Sequence, residues 1–181
     1  DITEHPTTEA RVYTCVVLDA YSRKAVGWAI SRRADTTLVN SAIDMAARSR
    51  TITPETIVHA DHGPQFTAWA FTTNLRAYGL RLRMGAVGDC HDNALNESFW
   101  GRMQTEVLYT RTWSTVEQLS VAIAEYIENF HDTRRRHSVL DMRAPTEFET
   151  LNTPQLHHAC ARTKNRSQIH RTDNLGSCQS N

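Results

Sequence analysis

Three acidic residues lie where carboxylates from separate elements could act together. Asp1 lies in an extended stretch, Asp61 follows a short apolar run, and Glu97 lies near the start of a predicted helix. Positions 62–96, which are 35 residues, separate Asp61 from Glu97. Carboxylates that meet from a strand, a strand end and a helix would form a cup of hard oxygen ligands, which suits Mg²⁺ or Mn²⁺. Two such ions could clamp the attacking and leaving oxygens of a phosphoryl transfer.

The same positions also have a structural interpretation. Acidic residues at the ends of helices and strands often cap backbone N–H groups or stay solvated, so the spacing alone leaves both interpretations open. A strand end in an open α/β sheet is nevertheless where ligands bind, which favours Asp61 as a site residue. Gly63 would let the backbone turn tightly beside it.

Hydrophobic patterning predicts the elements that must position these residues. Two strands rich in β-branched residues, 12–18 and 25–31, are expected to form an antiparallel hairpin. Asp35 offers an N-cap for a helix that ends near Arg48. Two further short strands are expected at 56–60 and 80–84. Apolar residues at helical spacing predict helices at 67–78 (closed by Gly79), 93–108 and 116–130, and a last short turn at 145–149.

This order of elements predicts an α/β fold, a mixed sheet with helices packed on it. Because Asp1 would already lie within the first strand, we expect a fold that is truncated at that strand. Residues 1–150 form the expected folded core. Residues 151–181 are polar and nearly without periodicity, which predicts a disordered tail.

Composition narrows the class of protein. The 181 residues carry 20 Lys+Arg and 20 Asp+Glu, so the net charge is zero and a surface covered in positive charge is excluded. No apolar run is long enough to span a bilayer, which predicts no membrane association. The four cysteines form no C-x-x-C pair, which indicates a reducing, cytoplasmic location rather than a disulfide framework.

Several linked motifs resemble the catalytic core of bacterial insertion-sequence transposases of the OrfB type, members of the retroviral-integrase superfamily of DDE recombinases. These motifs occur in one order along the chain, and the resemblance covers about residues 1–150. The matching stretches are 1–3 (DIT), 13–28 (YTCVVLDAYSRKAVGW), 59–67 (HADHGPQFT), 88–100 (GDCHDNALNESFW), 126–131 (YIENFH), 135–138 (RRHS) and 144–148 (APTEF).

The resemblance implies an RNase H-like mixed sheet flanked by helices. It also implies that Asp1, Asp61 and Glu97 are the catalytic residues and the ligands of two Mg²⁺ or Mn²⁺ ions. The implied activity is DNA 3′-end cleavage with water, followed by strand transfer of the freed 3′-hydroxyl to target DNA. The implied partners are DNA, as element ends and as target, and further copies of the chain in a homo-oligomer within a bacterial cytoplasm.

Polar and basic residues around these motifs are candidates for DNA contact. Many family members carry a Lys seven residues after the glutamate, whereas this sequence has Gln104, which can still bond a phosphate oxygen. Gln65 and Asn93 could hold DNA or orient carboxylates, or could simply cap their elements. The remaining candidates are cationic or can become so: Arg102, Arg134, Arg135, Arg136 and His137.

Two alternatives to an active transposase core remain open. The family carries a helix-turn-helix region, and residues that complete its central strand, before the first aspartate, and the sequence contains neither. A terminal ammonium at Asp1 would compete with the metal ions, and the strand would lose its upstream ladder, so we expect weak metal binding and impaired strand transfer by this chain. One alternative is a catalytically inactive remnant that binds DNA or dimerises. The other is an RNase H-like nuclease that cuts RNA in hybrids, and a comparison of hybrid and duplex substrates separates it from a transposase.

Overall fold

The computed structural model describes residues 1–84 and 90–152, with the side chains of 90–93 excepted. Most of the predicted tail, from residue 153 onward, and residues 85–89 lie outside the described residues. No helix in the described ranges is long and apolar enough to cross a membrane.

Three antiparallel strands form the first ladder, in the order β1 (Ile2–Pro6), β2 (Arg11–Leu18) and β3 (Ala25–Ser31). The predicted hairpin is confirmed, because β2 and β3 pair antiparallel and begin and end within one residue of the expected positions. Asp19 shapes the turn between them, since its Oδ1 accepts hydrogen bonds from the backbone of Tyr21 and Ser22.

A second ladder contains β4 (Ile57–Ala60) and β5 (Arg81–Met84), which run parallel to each other. The sequence predicts one mixed sheet, whereas the described strands form two separate hydrogen-bonded ladders. Both ladders nevertheless pack against one cluster of buried side chains, which Ile2 of β1 and Val58 of β4 contact. The strand layer is therefore joined by side-chain packing.

Six α-helices surround the strands in the part of the chain that the structure describes. They are α1 (Thr36–Ser49), α2 (Pro64–Thr67), α3 (Trp69–Ala77), α4 (Cys90–Met103), α5 (Val116–Glu125) and α6 (145–152). Helix α1 confirms the predicted cap, because Asp35 Oδ1 accepts from the Leu38 N–H at 3.1 Å. Helix α6 is longer than the short turn that the sequence predicts, and Pro145 occupies its first position, where the missing N–H costs nothing.

The helix predicted at 67–78 is wrong at its start. The chain becomes helical at Pro64 and then breaks at Ala68, whose ψ of 140° is extended, before α3 begins. Tertiary packing favours this break, because the rings of Phe66 and Phe71 meet edge-on at 5.6 Å on either side of it, and both are buried. The predicted C-terminal glycine is confirmed, since Gly79 has a φ of 72°.

Two helices continue as wider π-helical segments that the sequence did not predict. Helix α4 continues through Gln104–Leu108, and α5 continues through Tyr126–His131. The two segments meet where the Tyr126 hydroxyl donates to Glu106 Oε2 at 2.9 Å, and Arg135 forms an ion pair with the same carboxylate. Local periodicity does not anticipate this arrangement, because the contact joins residues from two different helices.

Strand β2 is buried on both faces because its side chains alternate in direction. Val12 and Val16 belong to a cluster shared with α4 and α5. Cys15, on the other face, belongs to a cluster shared with α1 and α3. The strands therefore lie between two helical layers.

Asp132 connects the end of the π-helical segment of α5 to strand β3 by a hydrogen bond. Its Oδ1 accepts from the backbone N–H of Ala25 at 3.0 Å and contacts His131 Nδ1 at 2.8 Å, and all three residues are buried. A buried carboxylate without such partners would be costly, so these bonds determine where the chain leaves the helix.

His137 is buried at the following turn, with 8% of its surface exposed. Its carbonyl accepts from the N–H groups of Leu140 and Met142. Burial, and then the nearby charges of His131 and Arg102, lower the pKa of His137 to about 4. The imidazole is therefore neutral at pH 7.

Substituting Gly27 tests the contact between β3 and α1. A Cβ at this position would overlap the Ala42 carbonyl oxygen and lie 2.7 Å from the Ala46 nitrogen, and both are backbone atoms of α1. Gly27→Ala should lower the free energy of unfolding by about 1–3 kcal/mol, measured by urea denaturation. The matched control is Gly101→Ala, which meets no atom within 4 Å and should stabilise helix α4 by about 1 kcal/mol. Equal effects would contradict the packing described.

Substituting His137 tests its buried, neutral state. The unfolded histidine titrates near pH 6.5 and the folded one near 4, so acidification protonates the unfolded chain first and stability falls as the pH drops from about 7 to 4. His137→Gln should reduce this acid-induced loss in the free energy of unfolding by about 1–3 kcal/mol. Urea denaturation at several pH values measures it, and exposed His62→Gln serves as the control. A pH dependence unchanged by His137→Gln would contradict the assignment.

Candidate active site

Asp1 is held in the first ladder by its backbone and by its side chain. Its backbone nitrogen donates to Val16 O at 3.1 Å, and Val16 N donates to Asp1 O at 3.0 Å. The carboxylate accepts from Ile2 N through Oδ1 at 2.7 Å and from Trp100 Nε1 through Oδ2 at 3.1 Å. The side chain is therefore directed toward α4.

Trp100 places Glu97 near this carboxylate. The two residues are three positions apart on α4, a spacing that brings side chains together on one helix face, with Cβ atoms about 5–6 Å apart. The indole is 7% exposed and packs edge-on against Phe99, so its position is well determined. Glu97 itself is exposed. Sequence reasoning did not include Trp100 among the site residues, although its three-residue spacing from Glu97 was an available signal.

Asp61 directly follows β4, as the sequence predicts. Its Oδ1 accepts from the Gly63 N–H at 3.1 Å. A Cβ at Gly63 would lie 3.1 Å from that oxygen and 3.0 Å from Gln65 Oε1, which is closer than nearly all real contacts. The backbone of Gly63 has a φ of −60°, which any residue adopts. The predicted reason for glycine is therefore corrected: the position needs the space beside the carboxylate, and its turn geometry makes no special demand.

The buried Cys15 thiol lies near both Asp61 and Asp1. Cys15 pairs with Ile2 across the β1–β2 ladder. Burial raises the pKa of this thiol, and the charge of the Asp61 carboxylate acts in the same direction. Asp1 and Asp61 therefore lie near the same side chain from two different ladders, while α4 brings Glu97 to the Asp1 side.

The donor set fits a hard divalent cation in its chemistry. Asp1, Asp61 and Glu97 offer only carboxylate oxygens, which Mg²⁺ and Mn²⁺ prefer. Within the described residues, no three His, Cys, Asp or Glu side chains are gathered closely enough to share one ion. Like charges repel, so three carboxylates gathered without a cation would be unfavourable. Neighbouring N–H groups instead satisfy Asp1 and Asp61.

The predicted DNA-contact residues near the carboxylates fall into different positions. Gln65 is half-buried, and its Nε2 donates to the Ala34 carbonyl at 2.8 Å, which anchors the segment before α1. Gln104 begins the π-helical segment of α4 and is half-buried. Arg102 is exposed and lies about 140° around α4 from Glu97. The side chain of Asn93 lies outside the described residues.

The basic run after α5 divides into an outer and an inner pair. Arg134 and Arg136 are exposed, and Arg136 donates to the Met142 carbonyl at 3.1 Å. Arg135 forms an ion pair with Glu106, and His137 is buried and neutral. The ion pair with Glu106 holds Arg135 in place, whereas the outer pair is available to a charged ligand. Phosphate contact by these residues stays a prediction.

Solved structures support the fold. The chain resembles the catalytic core domain of BIV integrase with a TM-score of 0.56 and 15% identity, over 86% of this chain and 95% of that one. It also resembles the HTLV-2 integrase catalytic core domain, solved in complex with magnesium in a trimeric form, with a TM-score of 0.55, 12% identity and coverage of 82% and 91%. The RNase H-like α/β fold class is therefore confirmed.

The sequence itself matches one family along most of its length. A curated relative, the transposase for insertion sequence element IS904 of Lactococcus lactis subsp. lactis (strain IL1403), is 35% identical over 153 residues. That alignment covers 84% of this chain, which spans 60% of the relative's length. Two family models described as "Integrase core domain" match residues 1–90 and 78–145. The chain therefore belongs to the integrase core domain family, as its motifs predicted.

Proposed function

We propose that this chain is the catalytic core of a DNA transposase, which cleaves DNA at element ends and joins the freed 3′-hydroxyl to target DNA. One observation carries the proposal: the Asp1 carboxylate accepts a hydrogen bond from the indole of Trp100, which lies three positions after Glu97 on α4. The proximity of Asp61 and Asp1 to Cys15 supports it further. Family membership supports a DNA-processing activity in general.

In this proposal Asp1, Asp61 and Glu97 hold two Mg²⁺ or Mn²⁺ ions. Bound ions would supply activation of the attacking oxygen and stabilisation of the leaving oxygen. The carboxylates provide the oxygen ligands, and Trp100 orients Asp1 through its N–H. Gly63 leaves the space that Asp61 needs to keep its side chain beside the turn. The structural neighbour solved with magnesium supports this choice of ion.

The chemistry consists of two displacements at phosphorus. In the first, a water oxygen bonds to phosphorus, the bond from phosphorus to the 3′-oxygen breaks, and that oxygen leaves as a 3′-hydroxyl. In the second, this hydroxyl attacks a phosphate of the target strand, and the target's own 3′-oxygen leaves. Neither step needs a covalent bond to the protein, whose contribution is to position the reacting strands.

The proposed partners are DNA, as element ends and target, and further copies of this chain. Exposed Arg134 and Arg136 lie together after α5 and offer positive charge to the phosphate backbone. The formal net charge of zero means that such local patches, and bound cations, must supply the attraction. A trimeric form of the HTLV-2 neighbour supports self-association in this fold.

Neutralising Asp61 or Glu97 tests the proposed catalysis. Asp61→Asn and Glu97→Gln each remove a charged ligand oxygen while keeping the side-chain shape, and each should lower cleavage and joining at least about 100-fold. The assay follows labelled duplexes that carry the ends of the encoding element, in Mg²⁺ and in Mn²⁺. The matched control is Glu55→Gln, an exposed carboxylate in the turn before β4, which should retain full activity.

The same assay separates the alternatives. Cleavage of an RNA·DNA hybrid without cleavage of duplex DNA would indicate a nuclease of the RNase H type. If the two variants kept every DNA-dependent effect of the parent chain, the catalytic proposal would fail in favour of an inactive DNA-binding protein.

Removing the indole N–H tests the link between α4 and Asp1. Trp100→Phe should weaken Mn²⁺ binding about 10-fold to 100-fold, because a group that orients a ligand is lost. Trp113→Phe is the matched control, since Trp113 is also buried and donates its Nε1–H to the Leu108 carbonyl at 3.0 Å, within the core. Both variants should lose similar stability. Mn²⁺ binding measured by calorimetry should fall only in the first, and an equal fall in both would make Trp100 merely structural.

A further inference from the structure

A cavity of about 260 Å³ lies against α4, on a flank of the helix beside the face that carries Glu97. Helix α4 forms one wall through residues such as Ser98 and Arg102. The turn between β2 and β3 contributes Arg23, and the segment after α5 contributes His137 and Val139. The site proposed for catalysis does not use this cavity.

The titratable residues that line the cavity are all basic. They are Arg23, Arg102, His131 and His137. Among the described side chains, those of residues 1–84 and 94–152, no carboxylate forms an ion pair with Arg23 or Arg102, whereas Arg135 pairs with Glu106 and the His131 ring contacts Asp132. Two guanidinium groups therefore line a small concave surface, and no described acidic side chain neutralises them.

A buried hydrogen-bonding atom is also unsatisfied here. The Nε2 atom of His137 is buried and has no hydrogen-bond partner among the described residues. A buried polar atom without a partner is costly, so a ligand that supplied an oxygen would remove the penalty. This observation is independent of the charge of the two arginines, and both indicate an anionic ligand with oxygen acceptors.

The remaining surface of the cavity is partly apolar. Leu18 and Phe99 line its inner part, and Val139 lies at the surface with 66% of its area exposed. A site for a free inorganic anion needs no such surface, whereas a nucleotide presents a sugar and a base beside its phosphate. The combination of guanidinium groups and apolar side chains therefore suits a phosphate that belongs to a nucleic acid strand.

We propose that this cavity binds one backbone phosphate of a DNA strand between Arg23 and Arg102, with His137 Nε2 bonded to the same nucleotide. The inference rests on the proposed function, because it takes DNA as the ligand. Arg102 lies about 140° around α4 from Glu97, so the inferred phosphate is separate from the one that reacts. A helix is about 10–12 Å across, and a DNA strand rises about 3.4 Å per nucleotide. The bound phosphate therefore lies roughly three nucleotides from the reacting phosphate.

The test measures binding of a fluorescent, mixed-sequence single-stranded oligonucleotide in EDTA at several salt concentrations. Because metal is absent, this readout does not depend on the carboxylates. The doubly substituted Arg23→Gln/Arg102→Gln chain should bind about tenfold more weakly, and its salt dependence should fall by about 0.7 in slope, the contribution of one phosphate. Arg48→Gln, an exposed arginine in the last turn of α1 on the other helical layer, should change little.

A second pair of variants keeps both arginines. Val139→Asp puts a negative charge at the cavity, and should weaken oligonucleotide binding by a similar factor. Val121→Asp is its control, since Val121 is 52% exposed on α5 and does not line the cavity. Thermal unfolding of all four chains checks that each is folded, and the surface position of Val139 favours a folded variant.

The outcomes separate the inference from the proposed function. If the oligonucleotide binds the parent chain, but the cavity variants match their controls, the inference is overturned and the proposed function stands. If the parent binds DNA neither in EDTA nor in Mg²⁺, the proposed function itself fails. If inorganic phosphate stabilises the parent through Arg23 and Arg102 but the oligonucleotide does not displace it, the site takes free phosphate, which also overturns the inference.

Discussion

Burial of β2 on both faces is the constraint on which the rest of the molecule depends. Side chains of a strand that is covered on both sides point alternately to its two faces. Val12 and Val16 therefore pack against α4 and α5, while Cys15 packs against α1 and α3. Asp1 pairs with Val16, so its place in the ladder follows from that of β2. The same strand thus determines which helical layer brings Glu97 and which residues surround Asp61.

Polar groups near the carboxylates show how negative charge is accommodated. The Asp1 carboxylate accepts hydrogen bonds from the Ile2 N–H and the Trp100 indole N–H, and the Asp61 carboxylate accepts from the Gly63 N–H. Such bonds hold each side chain in place. Two groups of cationic residues lie on other surfaces, Arg23 and Arg102 in the cavity beside α4 and Arg134 and Arg136 after α5. The zero net charge is thus an average over an acidic site and separate basic surfaces.

Prediction from sequence succeeded where the signal is local. The β2–β3 hairpin, the Asp35 cap of α1 and the positive φ of Gly79 follow from residue type and periodicity, and the structure confirms each. Prediction from sequence failed at Ala68, where a helix breaks beside the packed rings of Phe66 and Phe71. It also missed the π-helical segments, because the pairing of Tyr126 with Glu106 joins residues from two helices. Each failure involves contacts that no single stretch contains.

The sequence by itself determined the family, the order of the elements and the three candidate carboxylates, because motifs and apolar spacing are properties of short stretches. Only the tertiary structure decided that Trp100 bonds to Asp1 across 99 positions, and that Gln65 is anchored on Ala34. It also decided which of the clustered cations are exposed, since Arg135 is paired and buried His137 is neutral. The physical reason is that burial and charge pairing depend on side chains brought together from distant positions, which the spacing within one segment does not encode.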